Sequence, residues 1–370
     1  MNNINRYVLG GLLIATLVLV TINIAPGNKN TGNTTVIKIG SILPLTGPLG
    51  ELGEEIRRGA EIAIQDSLSR GIKIEYISED DGFDPKLSAS AASKLTNIDK
   101  ADAVFTALVE EAKSMIKIFN DKEIPLLVAW DSNADLKKAG RYIFSIGFST
   151  EKSGEIMGNY ASENLGLRKI AIVGAIDPAM DIMIDNFEKT FTKNSGEIIL
   201  RERIQPDAMD HRSLIAKLNS KKTDGIYVGF IPPQHGPFLK QLKQSGYKGK
   251  IMAVDTFIQS EIEAAGTTAE DIHFTYIYAE HSQEISAKYK ESFGNNPIDP
   301  ALVSFGYDSI KVLAEASKIA KEKGIPLRDA LTLVKIDGIG GPIDMNGTQF
   351  SERAEKIFVV KNGVAVPAEN

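Results

Sequence analysis

The chain contains no cysteine. Disulfides, thiolate zinc sites and cysteine nucleophiles are therefore excluded. Tryptophan occurs once, at Trp130, and histidine four times, as His211, His235, His273 and His281, with no spacing suited to a metal site. Positive charge is not in excess. The formal charge is −6 over 370 residues, which argues against nucleic acid as the main partner because phosphate binding needs a basic surface. Common catalytic signatures are missing too: there is no Gly-x-Ser-x-Gly elbow, no Gly-x-x-x-x-Gly-Lys phosphate loop, and no Gly-x-Gly-x-x-Gly after the first strand. Asp80-Asp81 resembles an acidic pair for catalysis or metal binding, but at a strand end before Gly82 it reads as a turn cap. No nucleophile stands beside a recognisable base, so the chain reads as a non-enzyme, and no cofactor or metal is expected.

One long hydrophobic run is present, Tyr7 to Ala25, without a charge and preceded only by Arg6. As a helix it would span roughly 28 Å, close to the hydrocarbon thickness of a bilayer. Two readings stay open. A cleavable signal is normally shorter and ends in small residues, whereas here Asn23 and Pro26 flank the best cut, after Ala25. An uncleaved anchor fits better, with residues 1–6 as a cytoplasmic tail and 26–35 as a polar linker. On either reading the chain from about residue 36 lies outside the cytoplasm, in the periplasm or at the cell surface, anchored by 7–25 or released if cleaved.

From Val36 short apolar runs alternate with amphipathic stretches. Strands are predicted at Ile37–Leu43, Ile72–Ser78, Ala103–Thr106, Leu126–Ala129, Lys169–Gly174, Ile198–Gln205, Gly225–Gly229, Ile251–Val254, His273–Tyr278 and Lys356–Lys361. They are apolar at nearly every position, as strands buried on both faces are. The helical patterns between them imply right-handed crossovers and parallel sheets. The alternation runs twice, so the predicted fold is α/β, with two doubly wound parallel-sheet lobes joined by multiple crossovers and preceded by the N-terminal helix. The expected division is 36–148 with 277–334 for lobe one, and 149–276 with 335–370 for lobe two. Ligands of such sheets bind beyond the carboxyl ends of the strands, here between the lobes.

The stretch Ile39-Gly40-Ser41-Ile42-Leu43-Pro44-Leu45-Thr46-Gly47-Pro48 resembles the opening of branched-chain-amino-acid-type (Leu/Ile/Val-binding-protein-like) solute-binding proteins of ABC transporters, which have the type I periplasmic-binding-protein fold. Further similar pieces are Glu79-Asp80-Asp81-Gly82-Phe83-Asp84-Pro85, Phe305-Gly306-Tyr307-Asp308 and Gly338-Ile339-Gly340-Gly341-Pro342. The resemblance covers 36–365 in the family's order. It implies a receptor that captures a small polar solute, an amino acid or a related amide or amine, by hinge closure and delivers it to an ABC permease. It also implies a monomer. A ligand-sensing ectodomain of the same fold, acting through a signalling partner, remains the alternative.

Carried over by resemblance, the ligand loops bring Leu52, Val109, Glu110, Glu111, Trp130, Ser132, Ala179, Phe230 and Asp255 to the cleft. Several depart from the family pattern. Glu110 and Glu111 stand where small hydroxyl residues usually clamp a carboxylate, although acids also suit a helix N-terminus. Ala179-Met180 replaces a Tyr-Gly pair, and Phe230 is expected to supply the missing aromatic wall. Asp255 matches the position that pairs with an α-ammonium; a helix N-cap is its plain alternative. With Asp131 and Asp177 the cleft is acidic and has no obvious Lys or Arg, which favours a neutral or cationic ligand. An amino acid stays open if backbone amides and Ser132 or Thr46 hold its carboxylate. Hinges are expected near Phe148–Thr150, His273–Tyr278 and Val334–Asp337.

Overall fold

The computed structural model describes residues 35–277 and 279–368. The predicted N-terminal helix lies outside them. Among the described residues, no helix is long and apolar enough to cross a membrane.

The chain begins with β1 (Thr35–Leu43), α1 (Gly50–Ser69), β2 (Ile72–Asp80), α2 (Pro85–Asn97), β3 (Ala103–Thr106) and α3 (Val109–Lys122). Four short strands follow: β4 (Leu126–Val128), β5 (Asp131–Ser132), β6 (Ile143–Ser145) and β7 (Phe148–Ser149). A second series runs α4 (Thr150–Glu163), β8 (Lys169–Ala175), α5 (Pro178–Lys193), β9 (Glu197–Ile204), α6 (Arg212–Ser220) and β10 (Gly225–Gly229). It ends with α7 (His235–Gln244), β11 (Lys250–Ala253), α8 (Gln259–Ala265) and β12 (His273–Ile277). The last stretch comprises α9 (Ser282–Phe293), α10 (Pro300–Lys323), α11 (Leu327–Leu331), β13 (Lys335–Gly338), β14 (Gly341–Asp344), β15 (Glu355–Lys361) and β16 (Val364–Pro367).

These elements form two lobes. Lobe one has a parallel sheet in the order β2-β1-β3-β4-β6; lobe two has β16-β15-β12-β11-β10-β8-β9, parallel except for β15, which runs antiparallel to both of its neighbours. The strand order reverses at β1 in one sheet and at β8 in the other, so each lobe opens a crevice at the carboxyl ends of those strands. The central strands are buried along their whole length, as their unbroken apolar sequences require.

Local chemistry sets many helix starts. Asp84, Asp177 and Asp299 each precede a proline, and each carboxylate accepts N–H bonds from the first turn: Lys86 and Leu87, Ala179 and Met180, and Ala301. Proline at the first helical position costs no hydrogen bond, while the aspartate satisfies the free amides. In lobe one, α1 crosses α10 where Gly59 faces the Val303 carbonyl and Gly306 faces the Ile56 carbonyl. A Cβ at either glycine would run into that backbone, so this close approach depends on glycine.

The late chain departs from the expected division. Residues 335–353, assigned to lobe two from the sequence, pack on lobe one. The hairpin β13–β14 pairs only with itself, Met345 N–H donates to the Val334 carbonyl, and residues 349–353 run along β6 and the chain after it through Ser145 and Gly147. Arg353 holds this segment in place. It is buried, donates to the Ile146 carbonyl and the Ser304 hydroxyl, and pairs with Asp308 at 2.8 Å. The chain then enters lobe two at Glu355. The third crossover is therefore 353–355, and Val334–Asp337, named as a hinge from the sequence, lies within lobe one.

Candidate functional site

A cavity of about 690 Å³ lies between the lobes. Lobe one contributes the loop after β1 and the start of α1 (Pro44, Pro48, Leu49, Leu52, Ile56) together with Phe83, Leu108, Glu110 and Trp130. Lobe two contributes the start of α5 (Asp177, Ala179, Met180, Met183), the loop after β9 (Pro206, Met209), and the chain after β10 and β11 (Ile231, Pro232, Asp255, Thr256). These are strand ends and helix starts, where the two strand-order reversals lead. The wall is mostly apolar, as is usual for small-molecule sites.

Five of the nine residues named from the sequence line this cavity: Leu52, Glu110, Trp130, Ala179 and Asp255. Trp130 stacks on Phe305 of α10, with ring centroids 5.2 Å apart, and its indole Nε1–H donates to Asp255 Oδ2 at 3.2 Å. That bond joins lobe one to lobe two across the cleft. Asp255 is not a helix cap, since α8 begins four residues later; only 2% of it is exposed, and its Oδ1 has no hydrogen-bond partner. Burial pushes its carboxyl up to about 7, against the opposing bond from Trp130. Asp131 also lines the cavity and is raised to about 7, by burial first and then by the charges of Asp255 and Glu110, against the Val109 N–H it accepts. Burial raises Asp177 as well, although it caps α5.

The other four lie behind the wall. Val109 is buried and serves through its N–H, which donates to Asp131 Oδ1 at 2.7 Å. Glu111 turns away from the cavity: its carboxylate accepts from the Leu108 N–H at 3.1 Å and the Thr106 hydroxyl at 2.6 Å. Burial lifts it to about 8, helped by the charge of Asp81. Ser132 sits in β5, which pairs with β7 at the first crossover. Its hydroxyl is buried without a partner. Phe230 is a core residue, fully buried among His211, His235 and Phe238, so it supplies no aromatic wall; Ile231 and Pro232 take that place. His235 is likewise buried in this cluster rather than at the cavity.

Sequence reasoning missed the apolar wall from Met183, Pro206 and Met209. Met183 follows the Asp-Pro start of α5 at helical spacing from Met180, so a visible signal existed; nothing in the loop after β9 advertised its role. The pair Asp80-Asp81 is structural. Asp80 accepts the N–H groups of Leu45, Thr46 and Gly82 and the Thr46 hydroxyl, shaping the loop after β1, while Asp81 accepts from Phe83 N–H and the Ser88 hydroxyl.

Residues 36–361 match the sequence profile of the family described as periplasmic binding protein. The chain belongs to that family. Its members bind solutes and are not enzymes. Leu/Ile/Val-binding protein homolog 1 of Brucella abortus (strain 2308) is 24% identical over 331 residues, covering 83% of this chain and 87% of the relative. The family fold is also that of LivJ from Streptococcus pneumoniae, solved in complex with isoleucine: TM-score 0.82, 21% identity, 89% of this chain and 97% of the other. A solute-binding protein of R. palustris in complex with benzoate superposes with a TM-score of 0.79 at 23% identity, covering 90% of this chain and 95% of the other.

Proposed function

We propose that this family member captures a small solute in the interlobe cleft, closes over it by hinge bending, and hands it to an ABC permease on the outer face of the membrane. The observation that carries the reading is the cavity itself, which is walled by both lobes and bridged by the Trp130–Asp255 hydrogen bond. A ligand that touches both walls stabilises the closed form by its preference for that form, and the permease would read the closed surface. Leu52, Glu110, Trp130, Ala179 and Asp255 are the proposed ligand contacts. Val109, Glu111, Ser132 and Phe230 position them from behind. The solute has an apolar body, in keeping with the apolar wall, and is an amino acid or a related amide or amine. The relatives named for Leu/Ile/Val binding, and the neighbours holding isoleucine and benzoate, support a compact solute with an apolar part.

A melting-temperature screen of the purified protein against amino acids, amides, amines, aromatic acids and sugars tests the binding. Small-angle scattering with and without the hit tests the closure. A raised melting temperature together with a smaller radius of gyration is expected; a hit that leaves the radius unchanged overturns hinge closure.

A further inference from the structure

The cleft has spent its anion-binding devices on itself. Backbone N–H groups at helix starts and strand-end loops are natural partners for a carboxylate. Here the Leu45 and Thr46 N–H groups donate to Asp80, Leu108 to Glu111, Val109 to Asp131, and Ala179 and Met180 to Asp177. The two hydroxyls that would hold a ligand carboxylate are also withdrawn: Thr46 donates to Asp80 at 2.7 Å, and Ser132 is buried off the cavity wall. The charge on the wall has one sign. Glu110, Asp131, Asp177, Asp207 and Asp255 line it, and among the described residues no Lys or Arg does.

A second observation points to what the wall is missing. Asp255 is buried at the cavity, yet only one of its carboxylate oxygens is partnered. A buried oxygen without a donor is destabilising, and a ligand that brings the donor removes that cost. Trp130, bonded to the same carboxylate, adds an aromatic ring that attracts cations. The rest of the wall offers Leu52, Ile56, Met180, Met183 and Ile231 to an apolar body.

Resting on the reading of this cleft as a solute site, we propose that its ligand is a primary ammonium on an apolar body, without a carboxylate, and that the ammonium docks between Asp255, Asp131 and Trp130. An amino acid would bring a carboxylate to a wall of carboxylates whose loop and helix-start amides named above are already bonded, so the family's usual zwitterionic ligand is disfavoured here.

Matched probes test this by calorimetry on the full chain: 3-methylbutylamine, leucine and 4-methylpentanoate as one set, and phenethylamine, phenylalanine and 3-phenylpropanoate as another. The amine of a set is expected to bind roughly tenfold or more tighter than its amino acid, and the acid to give no binding heat. Asp255→Asn, which keeps the side-chain shape, is expected to weaken the amine about thirtyfold. An amino acid or acid that binds tighter than its amine overturns the proposal. So do amines that fail to bind, or an Asp255→Asn protein that binds them unchanged. If leucine or 3-phenylpropanoate binds tighter than its matched amine and compacts the chain, the cation inference fails while the solute-receptor reading stands. If an amine binds without compaction, hinge closure fails while the inference stands.

Discussion

The two lobes treat their carboxylates differently. In lobe one Asp80, Glu111 and Asp131 are each bonded to lobe-one backbone amides, so they hold loops in shape. In lobe two Asp177 does the same at the start of α5, but Asp255 takes its side-chain bond from Trp130 of the opposite lobe and keeps Oδ1 unpartnered; Glu111 Oε1 in lobe one is unpartnered too, but Glu111 lies off the cavity wall. Lobe one thus reads as a preformed wall, and lobe two as the wall that retains an unmet demand. The contrast explains how an acidic cleft can be both rigid and selective: Asp131 and Asp177 shape backbone at the wall, and Asp255, beside Asp131, keeps an oxygen for recognition.

The largest expected effect concerns the anchor of lobe one. Arg353→Met leaves Asp308 buried with only the Ile339 and Gly340 N–H groups, and should cost about 3–5 kcal/mol in urea unfolding, as loss of one partner of a buried pair does. A loss under about 1 kcal/mol would show that residues 349–353 are not what joins the late chain to lobe one.

Glycine-dependent helix packing comes next and occurs in both lobes. In lobe two a Cβ at Gly154 of α4 would meet the Met183 carbonyl of α5, as one at Gly306 would meet Ile56 in lobe one. Gly306→Ala and Gly154→Ala should each destabilise by about 1–3 kcal/mol through forced separation of the helices. Gly154→Ala should also disturb ligand affinity, because α5 carries Ala179, Met180 and Met183 to the cavity. Unchanged affinity would separate lobe-two packing from the site.

Asp80→Ala removes the acceptor of three N–H groups and one hydroxyl in lobe one, and should cost about 1–3 kcal/mol in the same assay. Asp255→Asn in lobe two should cost little in the unliganded protein. Equal losses at the two sites would abolish the contrast between the lobes.

The acids also make a pH dependence. Asp131 and Asp255 are raised to about 7 in the fold, whereas an unfolded aspartate titrates near about 4. A group whose folded value is raised lends stability that is fully present below the unfolded value and lost as pH rises through the folded one. The melting temperature of the unliganded protein should therefore fall between about pH 4 and about pH 7, and Asp255→Asn should flatten the fall. A variant whose melting profile keeps the full slope would show that Asp255 does not titrate in this range.

Much of this architecture was legible in advance. The strands at Ala103–Thr106 and Gly225–Gly229, and the helices at Pro85–Asn97 and Pro300–Lys323, lie where apolar runs, Asp-Pro starts and periodicity place them. The cleft was less legible, and Glu110 and Glu111 show why. Neighbours in a first helical turn point about 100° apart, so one reaches the cavity while the other turns back to cap Leu108. Phe230 and Ile231 divide in the same way at the end of β10, one into the core and one to the wall.

Capping, burial patterns and strand–helix alternation depend on residues near each other in the chain, so the sequence alone determined two α/β lobes with an acidic cleft at their strand ends. Which late segment docks on which lobe was decided only in three dimensions, because the Arg353–Asp308 pair joins residues far apart in sequence. The same holds for the cleft. Whether a carboxylate serves the backbone or the ligand depends on which amides the folded loops bring to it; in this fold amides reach Asp80, Glu111, Asp131 and Asp177, while Asp255 keeps an unpartnered oxygen in a residue of the cavity wall.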